Sequence, residues 1–143
     1  MSEIQIRLAT SHADECAVLE IGRVAFSKDI PAQGYAAMRL TSAFHLTADW
    51  WLLEENGRPV ASLLSFPLTF GTPSGTVQLG VGLGSVGTLP DARKQGHGST
   101  LCAHVCAHAT ANGRPLGLLF SAIAPTLYTR LGFVATAAFS HRC

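Results

Sequence analysis

The stretch Val86-Gly87-Thr88-Leu89-Pro90-Asp91-Ala92-Arg93-Lys94-Gln95-Gly96-His97-Gly98-Ser99 decides how the chain is read. A β-rich run ends at Thr88, Pro90 stops further strand pairing, and a basic, glycine-rich turn enters a segment with helical periodicity. Gly96 and Gly98 allow a backbone to approach a ligand without a Cβ in the way, and the helix that follows offers free N–H groups at the positive end of its dipole. Arg93 and Lys94 add a planar fork and a mobile ammonium beside that helix start. The residues therefore describe an anion site of a size suited to a pyrophosphate.

Outward from this turn, the elements follow from pattern. Toward the N-terminus, residues 50–55, 58–70 and 76–89 are three β-rich runs without helical caps. Asn56-Gly57 is a type I′ hairpin signal between the first two, and Thr72-Pro73-Ser74-Gly75 turns the second into the third. Pro67 requires an irregular or edge position. Earlier still, Ile4, Ile6 and Leu8 alternate with polar residues as a strand over 3–9. A helix capped by Thr10 or Ser11 runs to about Phe26, and a second short helix is expected over 35–44. Toward the C-terminus, a helix over about 97–112 ends at Asn112-Gly113 and a buried strand follows over 115–122. A helix with Pro125 at its first position then leads past Gly132 into a closing strand over 133–139. The order βααβββαβαβ makes an α+β fold, a mostly antiparallel sheet flanked by helices. Asn-Gly-Arg-Pro occurs at 56–59 and 112–115, once as a hairpin and once as a helix exit, so it marks no internal repeat.

Composition limits the function. The length of 143 residues suits one domain over 1–143. An apolar fraction of 48% with 13% charged residues excludes disorder, and a net charge of +1 offers no broad footprint for nucleic acid or an anionic membrane. Apolar runs reach about ten residues where roughly 20 are needed to span a bilayer. Glu3, Arg7, Asp14 and Glu15 leave no apolar leader at the start, and four scattered cysteines suit a reducing compartment, so the expected location is cytoplasmic.

Arg93-Lys94-Gln95-Gly96-His97-Gly98 resembles the R/Q-x-x-G-x-G/A signature of the Gcn5-related N-acetyltransferase superfamily. Thr88-Leu89-Pro90 upstream, at a strand end, and Leu127-Tyr128-Thr129-Arg130-Leu131-Gly132-Phe133 downstream, similar to the family's Y-x-x-x-G-F element, stand in the family's order and spacing. The resemblance covers nearly the whole chain. It implies an acetyl-CoA-dependent N-acetyltransferase acting on a primary amine in a ternary complex, with no metal. It further implies that the exposed strand end Val86, Gly87 and Thr88 holds the pantetheine arm, with Gly84 and Gly87 favouring a bulge. Arg93 and the N–H groups of Lys94, Gln95, Gly96, His97, Gly98 and Ser99 would hold the pyrophosphate, and Tyr128 would protonate the departing thiolate. Against the family pattern, Ser121 stands where many relatives carry Asn, and no acidic residue lies between Gly57 and Pro90 to serve as general base. The alternative is a non-catalytic acyl-CoA-binding or sensing module of the same fold.

Other features have plainer readings. Glu54 and Glu55 are expected to flank an exposed hairpin, and His97 to cap or face solvent. Gly82-Leu83-Gly84-Ser85-Val86-Gly87 matches a dinucleotide fingerprint but lies within a strand. On one helix, Cys102 and Cys106 point roughly 200° away from His104 and His108, so they form core thiols instead of a zinc site. Trp50 and Trp51 place one indole on each sheet face, at least one of them buried. The chain stops about ten residues after Phe133, so the final strand common in the family is expected to be short or absent and the acceptor cleft either open or completed by a second subunit, and the low charge content and apolar excess lead to the expectation of a homodimer.

Overall fold

The computed structural model describes residues 1–121 and 126–137. Its elements are β1 (Ile4–Leu8), α1 (His12–Phe26), α2 (Ala32–Leu40), α3 (Ala43–Thr47), β2 (Asp49–Glu55), β3 (Arg58–Gly71), β4 (Val77–Thr88), a 3₁₀ turn (Pro90–Ala92), α4 (His97–Ala111), β5 (Leu116–Leu119) and α5 (Thr126–Thr129). The strands form one sheet in the order β1-β2-β3-β4-β5. The first four are antiparallel to their neighbours, and the α4 crossover sets β5 parallel to β4.

Alternation along β2 assigns the two faces. Leu52 packs with Val18 and Ile21 of α1, while Trp51 and Leu53 pack with Leu101, Cys102 and Val105 of α4. The indoles divide as their spacing predicts: Trp51 is buried, its Nε1 donating to Ser65 Oγ at 3.0 Å, and Trp50 is partly buried on the α1 side. Ser11 caps α1 through a reciprocal capping box with Asp14. Arg7 on β1 then joins that helix start to the sheet, reaching Asp14 and Glu54 each at 2.7 Å.

β3 outruns β2. Beyond Ser65 it pairs only with β4, so Pro67 lies where one side of its strand is an edge and no ladder bond is lost. On the α1 side of β4, the Phe70 ring lies over Gly80 and the Phe66 ring over Gly82, which leaves no room for a side chain at either glycine.

Four expectations need correction. The strand expected to be buried over 115–122 is β5, Leu116–Leu119, and it is mostly exposed. The single helix over 35–44 is instead α2 followed by α3, because Thr41 turns its hydroxyl onto the Ala37 and Met38 carbonyls and Ser42 is extended. Helix α2 starts directly after Pro31, at Ala32, earlier than the expected start at 35. The closing strand does not form over its described part, 133–137, and the rest of it lies outside the described residues. Gly132, at φ 94°, turns Phe133 inward against Gly117 and Tyr128, and the small side chains after Val134 bury little area by pairing.

Candidate functional site

A groove of about 460 Å³ opens where β4 ends and α4 begins. Its wall is built by the end of α1 (Ala25, Phe26), by Val86, Gly87 and Thr88, by the turn residues 92–94 and 96–99, and by Leu127 and Tyr128.

The strand end is shaped by a bulge. Ser62 faces Gly87 and Leu64 faces Gly84, so β4 carries one residue more than β3 across this interval. The extra residue is absorbed at Ser85, whose φ is 49°, between the two glycines expected to favour it. Gly87 then lies close under α1: a Cβ built there would stand 3.1 Å from the Cβ of Ala25. The glycine thus permits a close approach of helix and strand.

Beyond the strand, Arg93 donates from Nε to the Thr88 carbonyl at 3.1 Å, pinning the turn to the strand end. Lys94 at φ 63° and Gly96 at φ 79° both adopt left-handed backbone, which curls the peptide into an anion-binding concavity. Gly96 supplies no side-chain cap, and the first main-chain bond of α4 runs from Thr100 N to Gly96 O at 2.9 Å. The N–H groups of His97, Gly98 and Ser99 therefore stand at an uncapped helix start. Arg93 and Lys94 line the groove, and none of its described lining residues is acidic. An uncapped helix N-terminus, two cations and no carboxylate match the chemistry of a bound pyrophosphate.

Tyr128, carried by the single turn of α5, is buried on the opposite wall, its ring edge-on to Phe133 at 6.3 Å. Burial foremost, with the neighbouring Cys102, pushes its phenol above the ordinary value, while a hydrogen bond with Ser121 acts in the opposite sense. The hydroxyl is therefore protonated at neutral pH, as a proton donor must be. Ser121, at the position where an amide was expected, meets the tyrosine.

Of the residues singled out from sequence, Val86, Gly87, Thr88, Arg93, Lys94, Gly96, His97, Gly98, Ser99 and Tyr128 all line the groove, whereas Gln95 does not. His97 is not at the surface: it is 6% exposed, with Nε2 3.7 Å from Glu55 Oε2 and no hydrogen-bond partner for that nitrogen among the described residues. Glu54 is not on an exposed flank either, being 9% exposed and held by Arg7. Sequence reading missed Ala25, Phe26, Ala92 and Leu127, whose apolar side chains carry no chemical signal of their own. On α4, Leu101, Cys102, Val105 and Ala109 are buried as one face, and His104 and His108 are exposed and edge-on to Trp51. The described residues contain no group of three metal-ligating side chains, nor any helix long and apolar enough to cross a membrane.

Solved structures with the same fold cover nearly the whole chain. An acetyltransferase candidate from Agrobacterium tumefaciens strain C58 superposes with a TM-score of 0.73 at 23% identity, over 97% of this chain and 99% of that one. A GCN5-related N-acetyltransferase from Ralstonia eutropha JMP134 gives 0.72 at 21%, over 99% of each chain. An acetyltransferase candidate from Clostridium acetobutylicum, solved with acetyl-CoA, gives 0.72 at 15%, over 99% and 96%. No curated protein matches. These likenesses establish the fold, and the family model for the acetyltransferase (GNAT) domain matches residues 5–135. With its bulged strand end, its uncapped helix start and a family match over most of its length, the chain belongs to the GNAT acetyltransferase family, a family of acyl transfer.

Proposed function

We propose that the protein is an acetyl-CoA-dependent N-acetyltransferase that acetylates a primary amine by direct attack in a ternary complex, as one domain over 1–143. The observation that carries this reading is the convergence on one groove of the bulged end of β4, the uncapped start of α4 and the Tyr128 hydroxyl. Acetyl-CoA, when bound, supplies an activated thioester.

Each wall then has a task. The N–H groups of His97, Gly98 and Ser99, with Arg93 and Lys94, hold the pyrophosphate. The β4 end at Val86, Gly87 and Thr88 orients the pantetheine arm, and a backbone N–H near Thr88 is the donor for charge developing on the carbonyl oxygen. Tyr128 keeps a proton for the leaving sulfur, whose conjugate acid has a pKa near about 8.5. The described lining of the groove holds no carboxylate, so the amine proton leaves through water. Neither the cofactor role nor the acid role calls for a cysteine or a metal. The scattered cysteines suit a cytoplasmic location, and the exposed Phe120 and Val134 suit pairing into a homodimer, which a monomeric mass by light scattering at micromolar concentration would reject.

The missing carboxylate favours a second reading, an acyl-CoA sensor that binds without turnover. Release of free CoA thiol across an amine panel separates the two, with Gly96→Glu as the loop control. Acceptor-dependent thiol release that Gly96→Glu abolishes supports the transferase. Micromolar acetyl-CoA binding with no thiol release from any acceptor supports the sensor.

A further inference from the structure

Most arginine side chains in the described structure are spent. Arg7, Arg23 and Arg58 each close on a carboxylate, and Arg114 donates to two main-chain carbonyls. Arg39 differs. It is half-buried on α2, donating from Nε to the Tyr35 hydroxyl at 3.1 Å and from Nη2 to Ser85 Oγ at 2.8 Å. Those bonds use two of five guanidinium N–H donors, and the other three, on Nη1 and Nη2, have no partner among the described residues. No acidic residue occurs from Arg58 to Leu89, so neither strand beside it can supply a counter-charge.

The place matters as much as the missing partner. Ser85 is the bulge residue, and the next residue, Val86, lines the cofactor groove. Tyr35, 3% exposed, lies beneath the guanidinium, whose carbon is 5.5 Å from the ring centroid. The cation is therefore held beside the bulge, one residue along the chain from the groove wall. Farther along the same side of β4, about 10 Å away at strand spacing, Phe66 covers Gly82 and meets Phe44 at 5.4 Å, giving an apolar surface.

We propose that Arg39 is the specificity residue for an acceptor of the amino-acid class, its Nη1–Nη2 edge receiving the acceptor's carboxylate while the amine faces the end of β4 and an apolar side chain lies toward Phe66 and Phe44. A partly desolvated guanidinium with no carboxylate partner among the described residues is unfavourable, and a bidentate carboxylate supplies both charge and matching geometry. Tyr35 and Ser85 act as positioning residues for it. This assignment rests on the transferase reading and names the substrate class for it.

The test compares α-amino acids with their decarboxylated amines, L-phenylalanine against phenethylamine among them, in the thiol-release assay. Wild type is expected to favour the carboxylate member by about tenfold or more in kcat/KM. Arg39→Gln should remove that preference, bringing the two members of each pair within about twofold of each other in kcat/KM, and Arg39→Lys should restore part of it. Calorimetric binding of 3-phenylpropionate in the presence of CoA gives a readout independent of turnover, and acetyl-CoA affinity reports whether the variant still folds. Equal use of both members of each pair by wild type overturns the carboxylate assignment and leaves the transferase standing. If no amine is acetylated, binding of 3-phenylpropionate that Arg39→Gln weakens about tenfold supports the site, and absence of such binding overturns it.

Discussion

Alanine at Gly87 tests whether the close approach of α1 to the end of β4 shapes the cofactor wall. A Cβ there would meet Ala25 Cβ at 3.1 Å, Phe26 Cε2 at 3.4 Å and Ile21 Cγ2 at 3.6 Å. The Ala25 carbon is fixed to the helix backbone and has no torsion by which to swing aside, so helix and strand must separate. Gly87 is not among the residues with left-handed backbone, so alanine meets no φ penalty and gains about 0.5–1 kcal/mol from the less flexible unfolded chain. Overpacking costs about 1–3 kcal/mol, which leaves a net loss of about 1 kcal/mol and a Tm lowered by about 3–5 °C. Ala25→Gly alone costs about 0.5–1 kcal/mol of helix propensity. In the double variant the contact is gone, so the two changes should couple by about 1–2 kcal/mol. Urea and thermal denaturation of all four proteins measure the cycle, and acetyl-CoA affinity should fall in Gly87→Ala and recover in the pair. Additive effects within about 0.5 kcal/mol, or an unchanged Tm for Gly87→Ala, would refute the close-approach reasoning.

Tyr128→Phe should lower turnover severalfold or more with acetyl-CoA affinity nearly unchanged, and equal turnover by thiol release would remove the tyrosine as proton donor. Leu53→Ala, at a fully buried position between the sheet and α4, should cost about 2–5 kcal/mol in urea denaturation. His45 is buried against Trp50, and its pKa is lowered first by desolvation and then by Arg39, so below the ordinary imidazole value of 6.5 the unfolded chain binds a proton that the folded one does not. Stability should therefore fall as pH drops below 6.5, and His45→Phe should flatten that part of the Tm-against-pH curve. Asp14, held below the carboxylate range by Arg7, adds a separate loss as pH falls below its ordinary 3.8, present in His45→Phe and absent in Asp14→Asn. Cysteine labelling at pH 8 should modify exposed Cys16 before Cys102 and spare Cys102 until unfolding, since burial pushes the Cys102 thiol up to about 12; peptide mapping after brief alkylation reads the order.

What the sequence determined by itself is everything written in short-range pattern. The strand β1, the Asn56-Gly57 turn and the Gly113 helix exit each express a preference of neighbouring residues, and each stands in the structure. The groove-lining turn was legible for the same reason, because glycines, cations and a helix start must be adjacent in the chain to make an anion site there. Tertiary structure alone decided the rest. Glu54 is buried because Arg7, 47 residues away in sequence, comes to meet it, and His97 is buried because the sheet brings Glu55 against the start of α4. The Arg39–Ser85 bond spans 46 residues and depends on a bulge whose exact position only strand register could place. The split of α2 from α3 and the missing strand at 133–137 were settled by side-chain bonds and by an inward Phe133 that outweigh weak local propensities. Burial and charge pairing are properties of residues distant in sequence, and their energies come into play only once the sheet has brought those residues together.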